Sequence, residues 1–284
     1  DGSEPFVLRF KTPKTGEVVF QDLVYGEIHI ANNELDDLVL VRQDGVPTYN
    51  FAVVIDDWDM EITHVIRGDD HINNTPRQIN IYHALNASLP IFAHLPMILG
   101  PDGKRLSKRH GAVNVMSFRE EGYLPQALLN YLVRLGWSHG DQEIFSLDEM
   151  IQDFNLAHVS RSASSFDYDK LRWLNQHYLK TLGYEDTLDE WLWQMHHQGL
   201  DIHQGPSWEK LQILQAPRFK TLKELVANSA YFYQDIVLDH EALLDFRTPA
   251  LDAAIQDLIK DLSALASEHW EAPVLMGIIK ETAQ

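Results

Sequence analysis

A short cationic segment is the part of the sequence whose residue types and spacing most clearly suggest chemistry. Lys104, Arg105, Lys108 and Arg109 place four of the chain's 23 Lys and Arg residues within six positions. They follow the turn sequence Gly100-Pro101-Asp102-Gly103, which ends a stretch typical of a buried strand. Ligands of an open α/β sheet bind outside the carboxyl ends of its strands, so a cationic loop at this position suits a triphosphate. Its donors would stabilise the charge on a departing pyrophosphate, whereas the alternative is a solvated surface cluster.

Two other groups of polar residues are assigned structural roles. Asp56 and Asp57 are adjacent on a predicted helix, where helix solvation or a structural hydrogen bond is favoured over acid/base catalysis or metal binding. The 14 histidines, including His196 and His197, show no metal-ligand spacing such as His-Glu-x-x-His. The chain has no cysteine, which excludes a disulfide, a cysteine nucleophile and a cysteine zinc site in these residues. No metal site is predicted.

The composition is that of a globular protein. The chain has 284 residues, 45% of them hydrophobic and 23% charged, which is enough for two or three cores. Its net charge of -19 repels phosphate backbones, so any contact with nucleic acid must be local. No apolar run approaches the roughly 18 to 20 residues of a membrane span, and the lack of cysteine fits a reducing cytoplasm.

The elements that must position the cationic segment alternate between strands and helices. Leu124, Leu128 and Leu135 recur with helical spacing, and Pro125 and Gly136 suit the first turn and the end of that helix. Strands are predicted at residues 6–10, 18–20, 27–30, 38–41, 63–67 and 94–99, and further helices at 48–55, 75–85, 169–179, 188–198, 211–214, 222–227 and 250–265. This order predicts a β-rich start, a half α/β domain, a helical connector and an all-helical tail.

The cationic segment also carries a family resemblance. Arg105-Leu106-Ser107-Lys108-Arg109 resembles the Lys-Met-Ser-Lys-Ser signature of class I aminoacyl-tRNA synthetases, in the Lys-Leu-Ser-Lys-Arg form of the bacterial glutamyl-tRNA synthetases. Two positions depart from the family pattern, with Arg105 in place of lysine and Asp69 in place of the glutamate in Arg-Gly-Glu-Asp-His, and both keep the charge. The resemblance is strong from about residue 5 to residue 180 and weaker but collinear beyond it, and its other segments are residues 44–52, 56–68, 71–78, 122–141 and 170–175.

The resemblance implies a fold and a division into four segments. It implies an α/β class, the second half of a class I Rossmann catalytic domain with a β-rich insertion remnant, followed by an all-α connector and a helical anticodon-binding region. The segments are residues 1–42, the β-rich end of the connective acceptor-binding insertion; 43–115, the Rossmann half with the signature loop; 116–182, the helical stem-contact connector; and 183–284, the incomplete helical anticodon-binding region.

The implied function is that of a glutamate-tRNA ligase. Such an enzyme activates L-glutamate with ATP and Mg²⁺ and transfers the glutamyl group to tRNA(Glu); a cytoplasmic monomer without zinc in this portion and without a membrane partner is expected. One alternative is a glutamyl-queuosine-tRNA(Asp) synthetase, which shares the catalytic fold. The other is a tRNA-binding module without catalytic activity.

The resemblance also assigns site residues. Tyr49 and Arg67 fall at positions that bind glutamate, where an arginine fork can grip a carboxylate through two nitrogens and a tyrosine hydroxyl can orient it. The alternatives from the residues alone are a core aromatic for Tyr49 and a surface ion pair with Asp69 or Asp70 for Arg67. In the signature loop, Lys108 and Leu106 are assigned to ATP, and the catalytic set is Lys108, Arg105, Ser107 and Arg109.

The family's His-x-Gly-His motif does not occur in these residues. In the family, two imidazoles of that motif meet the ATP phosphates at a helix N-terminus. The sequence is therefore expected to be an internal fragment that lacks the first Rossmann half and the end of the anticodon-binding region. Because it carries half of the ATP site, the fragment alone is expected to be inactive.

Overall fold

The computed structural model describes residues 6–107, 109, 111, 114–235 and 247–282. The fold of these residues is mixed α/β. Its strands are β1 Leu8–Arg9, β2 Glu17–Asp22, β3 Gly26–Ala31, β4 Val39–Val41, β5 His64–Gly68, β6 Ile91–Leu95, β7 Ile98–Leu99 and β8 Ser164–Ser165. Its α-helices are α1 Tyr49–Asp59, α2 Thr75–Ala84, α3 Val115–Glu120, α4 Pro125–Gly136, α5 Leu147–Asp153, α6 Tyr168–Thr181, α7 Tyr184–His197, α8 Trp208–Gln215, α9 Leu222–Asn228, α10 Pro249–Ala264 and α11 Ala272–Thr282.

A four-stranded sheet in the order β3-β2-β6-β5 supports the candidate site. β2 and β3 form an antiparallel pair, whereas β6 runs parallel to both β2 and β5. Strands from both sides of the predicted boundary at residue 42 therefore lie in one sheet, and the four-segment division stays a prediction. Because β5 and β6 are parallel and paired from His64 to Gly68, their carboxyl ends lie side by side.

Helix α2 joins the sheet to helix α1. Its Ile79 is buried in a cluster with Phe20 and Phe92 of the sheet, while its Ile81 and Tyr82 pack in a second cluster with a residue of α1, Val54. Burying an aliphatic side chain of this size stabilises a fold by about 1.5 to 3 kcal/mol. These clusters fix the first turn of α2 against the carboxyl ends of the strands.

The strand predicted at residues 94–99 is wrong in its bounds. β6 ends at Leu95 and β7 begins at Ile98, with Pro96 between them. Proline has no backbone N–H to donate to a ladder, which accounts for the interruption. β7 instead pairs in parallel with β8, and Leu99 forms a bridge with Arg105. The cationic segment therefore begins in a short hairpin that is closed by the bridge between Leu99 and Arg105.

Helices α3, α4 and α6 to α9 share one large core. Its fully buried residues include Leu124 of α4 and Leu171 and Leu179 of α6, as the apolar spacing of these helices predicts. Asp167 caps α6 by accepting hydrogen bonds from the backbone N–H groups of Asp169 and Lys170, which begins the helix one residue earlier than predicted. Helices α3, α5 and α11 were not predicted.

The chain divides into two compact units, Asp1–Tyr233 and Gln234–Gln284. In the second unit, α10 and α11 pack against each other. Across the described ranges, each helix is too short or too polar to span a lipid bilayer.

Candidate active site

Arg67 lies near the carboxyl end of β5, and its guanidinium is held by three neighbours. Its Nε donates to Nε2 of His94 at 3.2 Å. Its Nη2 donates to Oγ1 of Thr75 at 2.8 Å and to Oε1 of Gln78 at 2.9 Å. These partners come from β6 and from the first turn of α2, which the sheet and its clusters place beside β5.

The hydrogen bonds of Arg67 determine which nitrogen can meet a ligand. A two-nitrogen grip on a carboxylate needs Nη1 together with Nη2, or Nε together with Nη2. Since Nε and both N–H groups of Nη2 already have acceptors, the two-nitrogen grip expected from the sequence is not open to this arrangement. Nη1 is the nitrogen without a bond to these three neighbours, and the guanidinium also has a hydrogen bond with the side chain of Tyr49. Burial lowers the pKa of Arg67, whereas Tyr49 and Asp57 nearby raise it, and the side chain stays a cation.

Tyr49 begins α1 and lies beside this guanidinium. It is 52% exposed, so the alternative of a core aromatic is wrong. Its hydroxyl is 3.5 Å from Nδ1 of His71, and the two rings are 5.7 Å apart between centroids. The structure therefore brings together Arg67 and Tyr49, the two residues that the resemblance assigned to glutamate.

The surface ion pair considered for Arg67 is also wrong. Asp69 accepts a hydrogen bond from the hydroxyl of Tyr25 at 2.9 Å. Asp70 instead pairs with Arg105, at 3.3 Å from Nη1 of the arginine to Oδ2 of the aspartate. Burial, and the hydrogen bond to Asp69, raise the pKa of Tyr25 to about 12.

The pair between Arg105 and Asp70 places the signature loop at the carboxyl end of β5. Asp70 lies in a 3-10 helix, Asp69–Asn74, that directly follows Gly68. A Cβ atom on Gly68 would be 2.6 Å from Oδ1 of Asp70, so the absence of a side chain there leaves room for the paired carboxylate. The loop's first cation and the glutamate-binding candidates thus occupy one edge of the sheet.

The other described loop residues differ in their surroundings. Leu106 is half-buried, packs against the large helical core, and donates its backbone N–H to the carbonyl of Ile98 at 2.9 Å. Arg109 is exposed and pairs through Nη2 with Oδ2 of Asp102 at 2.9 Å. Ser107 is half-buried. Lys108, the central residue of the sequence-based assignment, lies outside the described residues.

The polar residues under Arg67 were not singled out from the sequence. His94 and Asp22 are fully buried and 2.6 Å apart, between Nδ1 and Oδ2. Their residue types could have indicated this network. A histidine inside an apolar strand and an aspartate at a strand end need hydrogen-bond partners when they are buried. Gln78 donates to Oδ1 of Asn50 at 2.9 Å, which extends the network to α1.

Asp56 and Asp57 differ in their exposure on α1, and their structural roles stay predictions. Asp56 is exposed on α1, and Asp57 is half-buried, where burial raises its pKa and nearby Arg67 lowers it. His196 and His197 are exposed at the end of α7. In the part of the chain that the structure describes, no three His, Cys, Asp or Glu side chains are arranged to hold a metal ion.

Three cavities of about 270, 460 and 510 Å³ lie among the helices, away from Tyr49 and Arg67. The smallest is lined by Arg134, Lys170 and Trp173, and the largest by apolar side chains of α4 and α5.

The chain is similar to characterised proteins over nearly all of its length. It is 56% identical over 283 residues to glutamate-tRNA ligase 2 of Coxiella burnetii (strain Dugway 5J108-111), covering 99% of this chain and 60% of that relative. It is 58% identical over 284 residues to a glutamate-tRNA ligase of Legionella pneumophila (strain Paris), covering 100% of this chain and 60% of that relative. The chain therefore spans about 60% of the length of these relatives.

A solved structure and a family model agree with these relatives. The crystal structure of a glutamate tRNA ligase from Elizabethkingia meningosepticum in complex with its amino acid matches with a TM-score of 0.72 at 33% identity, over 98% of this chain and 59% of that one. The model of the family described as tRNA synthetases class I (E and Q), catalytic domain, matches residues 1–173. Since this match covers more than half of the 284 residues, the chain belongs to the class I tRNA synthetases of the glutamate and glutamine group.

Proposed function

We propose that this chain is part of a glutamate-tRNA ligase. In the first step a carboxylate oxygen of L-glutamate attacks the α-phosphate of ATP, the bond to the β-phosphate breaks, and pyrophosphate leaves. In the second step a terminal ribose hydroxyl of tRNA(Glu) attacks the activated carbonyl, and AMP leaves with the bonding electron pair. ATP and tRNA are substrates, and Mg²⁺ accompanies ATP.

One observation carries this proposal. The signature loop and the candidate glutamate residues meet at the same sheet edge, because Arg105 pairs with Asp70, three residues after Arg67. The reaction requires that the amino acid and the triphosphate be held side by side, and such positioning contributes several kcal/mol to catalysis. A solvated surface cluster would not require this convergence.

Each residue has a role in the proposal. Arg67 binds a glutamate carboxylate through Nη1, and the Tyr49 hydroxyl orients it. Leu106 anchors the loop to the core and contacts ATP. Arg105, Ser107, Lys108 and Arg109 follow the charge that develops on pyrophosphate. The exposed arginines fit this role because their present partners, Asp70 and Asp102, are surface carboxylates that a triphosphate can replace.

We also propose a role for each of the four segments of the chain. The four segments serve as the end of an acceptor-binding insertion, a Rossmann half, a stem-contact connector and part of an anticodon-binding region. No zinc is needed in this portion, and the enzyme is a cytoplasmic monomer. Because these residues contain no His-x-Gly-His, this chain alone does not form the adenylate.

The similarity to glutamate-tRNA ligases favours this function over the two alternatives. It covers 99% of the chain, including the helical region after residue 183. A glutamyl-queuosine-tRNA(Asp) synthetase lacks an anticodon-binding tail, and a module that only binds tRNA has no need for the convergence at the sheet edge.

ATP-pyrophosphate exchange dependent on L-glutamate tests the proposal, with the natural gene product that contains this chain. Lys108→Ala should slow exchange by about 100-fold to 1,000-fold, as loss of one transition-state donor does. Lys104→Ala is the matched control, since it removes a neighbouring cation outside the signature, and should change the rate little. Exchange that persists at the unchanged rate in Lys108→Ala would contradict the assigned chemistry.

A further inference from the structure

We propose that Asp22 and His94 are a positioning pair that holds Arg67 with a single nitrogen, Nη1, presented to the substrate carboxylate. The proposal rests on the proposed function, because it takes Arg67 as the residue that binds glutamate. Neither Asp22 nor His94 reaches the substrate in this arrangement. Their effect passes through the guanidinium.

The carboxylate of Asp22 determines which nitrogen of His94 carries the proton. Its oxygens accept hydrogen bonds from the backbone N–H groups of Val24 and Tyr25 at 2.9 Å and of His94 at 3.1 Å. Because these oxygens act as acceptors, Nδ1 of His94 must donate across the 2.6 Å contact to Oδ2. A buried aspartate that orients a histidine through Nδ1 is a known way to select one tautomer.

The selected tautomer leaves Nε2 of His94 as an acceptor. Nε of Arg67 is a donor only, and it lies 3.2 Å from that nitrogen. A second proton on the ring would point at the guanidinium and repel it. Burial, the largest influence, lowers the pKa of His94, while Asp22 raises it, and the neutral ring is favoured.

The opposite edge of the guanidinium is fixed by α2. Thr75 and Gln78 accept from Nη2, and Gln78 presents its oxygen because its nitrogen donates to Asn50. Cζ of Arg67 lies over the Phe92 ring, 5.9 Å from its centroid. An arginine side chain free to rotate would lose its rotamer freedom when it bound a carboxylate, whereas this one has already lost it.

Two substitutions of His94 separate positioning from a merely structural role. His94→Gln places an amide oxygen where Nε2 lies and can still accept from Arg67, but it loses the contact of Nδ1 with Asp22. His94→Asn places an amide nitrogen where Nδ1 lies and keeps Asp22 paired, but it has no acceptor for Arg67. Thermal unfolding of the two variants reports whether each chain folds.

The closing experiment measures both the guanidinium of Arg67 and the binding of the amino acid in the natural gene product that contains this chain. The Nε–H resonance of Arg67, assigned by its loss in Arg67→Lys, should be protected from solvent exchange in the wild-type chain and in His94→Gln, and unprotected in His94→Asn. L-Glutamate affinity, measured by calorimetric titration, should fall about tenfold in His94→Asn and about threefold in His94→Gln.

The outcomes distinguish the two proposals. Equal protection of Nε–H in all three chains, or a greater loss of affinity in His94→Gln than in His94→Asn, would overturn the positioning role. If protection follows the expected order but the natural gene product binds glutamate equally well with Arg67→Lys, the positioning of Arg67 is supported and the assignment of Arg67 to glutamate fails.

Discussion

Two polar contacts lie close to Arg67, and they differ in burial, in distance and in the charge of their members. Below it, Asp22 and His94 are 0% exposed and 2.6 Å apart. Beside it, Arg105 and Asp70 are 70% and 40% exposed and 3.3 Å apart. Removing one partner of a buried pair leaves a polar group without solvent, whereas water replaces the lost partner of an exposed pair.

The difference assigns different tasks to the two contacts. The buried contact cannot exchange its partners without disrupting β2 and β6, so it suits a fixed support. The exposed contact can exchange a carboxylate for a phosphate at little cost, so it suits a loop that follows a reacting substrate. The difference in burial therefore distinguishes the fixed Asp22–His94 contact from the Arg105–Asp70 contact, whose partner can be exchanged.

Asp22→Ala should have the largest effect on the free energy of unfolding. It leaves the N–H groups of Val24, Tyr25 and His94 without their acceptor, so the free energy of unfolding should fall by about 1 to 3 kcal/mol for each donor that stays buried and unpaired. Urea denaturation measures the change, and Asp70→Ala is the exposed control. Similar effects of the two substitutions would show that burial does not distinguish the contacts.

The pH dependence of stability gives the next largest effect. Burial lowers the pKa of His94 in the folded chain, with Asp22, Arg67 and His71 facing it, so the unfolded chain takes up a proton first as the pH falls. The contribution of His94 is complete above about pH 6.5 and is lost below it. The difference in unfolding free energy between wild type and His94→Gln should therefore shrink from about pH 8 to about pH 5. A difference that grows on acidification would contradict the neutral ring.

A double-mutant cycle of Arg105→Ala and Asp70→Ala should give a small coupling energy. We expect about 0.2 to 1 kcal/mol at low salt, decreasing as salt is added, because both side chains are exposed and screened. Urea denaturation of the four chains measures it. A coupling energy above about 2 kcal/mol would show that the Arg105–Asp70 pair behaves like a buried pair.

The smallest expected effect concerns the ligand of the loop. Asp70→Ala frees Arg105 from a competing carboxylate, so ATP should bind about two to five times more tightly, in line with the energy of an exposed pair. A fluorescence titration with ATP measures this, and Asp56→Ala removes a similar charge on α1 as the control. Weaker binding in Asp70→Ala than in the control would show that the aspartate supports the site.

The sequence predicted the elements with strong local signals. Helix α4 follows its apolar spacing from Pro125 to Gly136, and the turn before the signature loop follows Gly100 and Gly103. Helix α5 was missed, although Ser146 and Glu149 form a capping box that is readable as a sequence pattern. The strand predicted at residues 94–99 is wrong in its bounds because Pro96 has no N–H to donate and interrupts the ladder.

The support under Arg67 could not be predicted from local patterns. Asp22 and His94 are 72 residues apart, and they meet because β2 and β6 pair in parallel at Asp22 and Phe92. Nothing local specifies that pairing. The resemblance supplied Tyr49 and Arg67, whose side chains lie close together. Their roles stay predictions, as does that of Lys108, which lies outside the described residues.

Helices α10 and α11 pack against each other but leave their apolar side chains partly exposed. Their side chains Leu251, Ile255, Ile259, Val274, Met276 and Ile279 are 38% to 52% exposed, and neither helix has a buried residue. Short helices without a covered apolar face open readily by local fluctuation. Backbone amide hydrogens of these two helices should therefore exchange with deuterium long before those of α4 and α6, and a protease should cut α10 and α11 before it cuts α4 and α6.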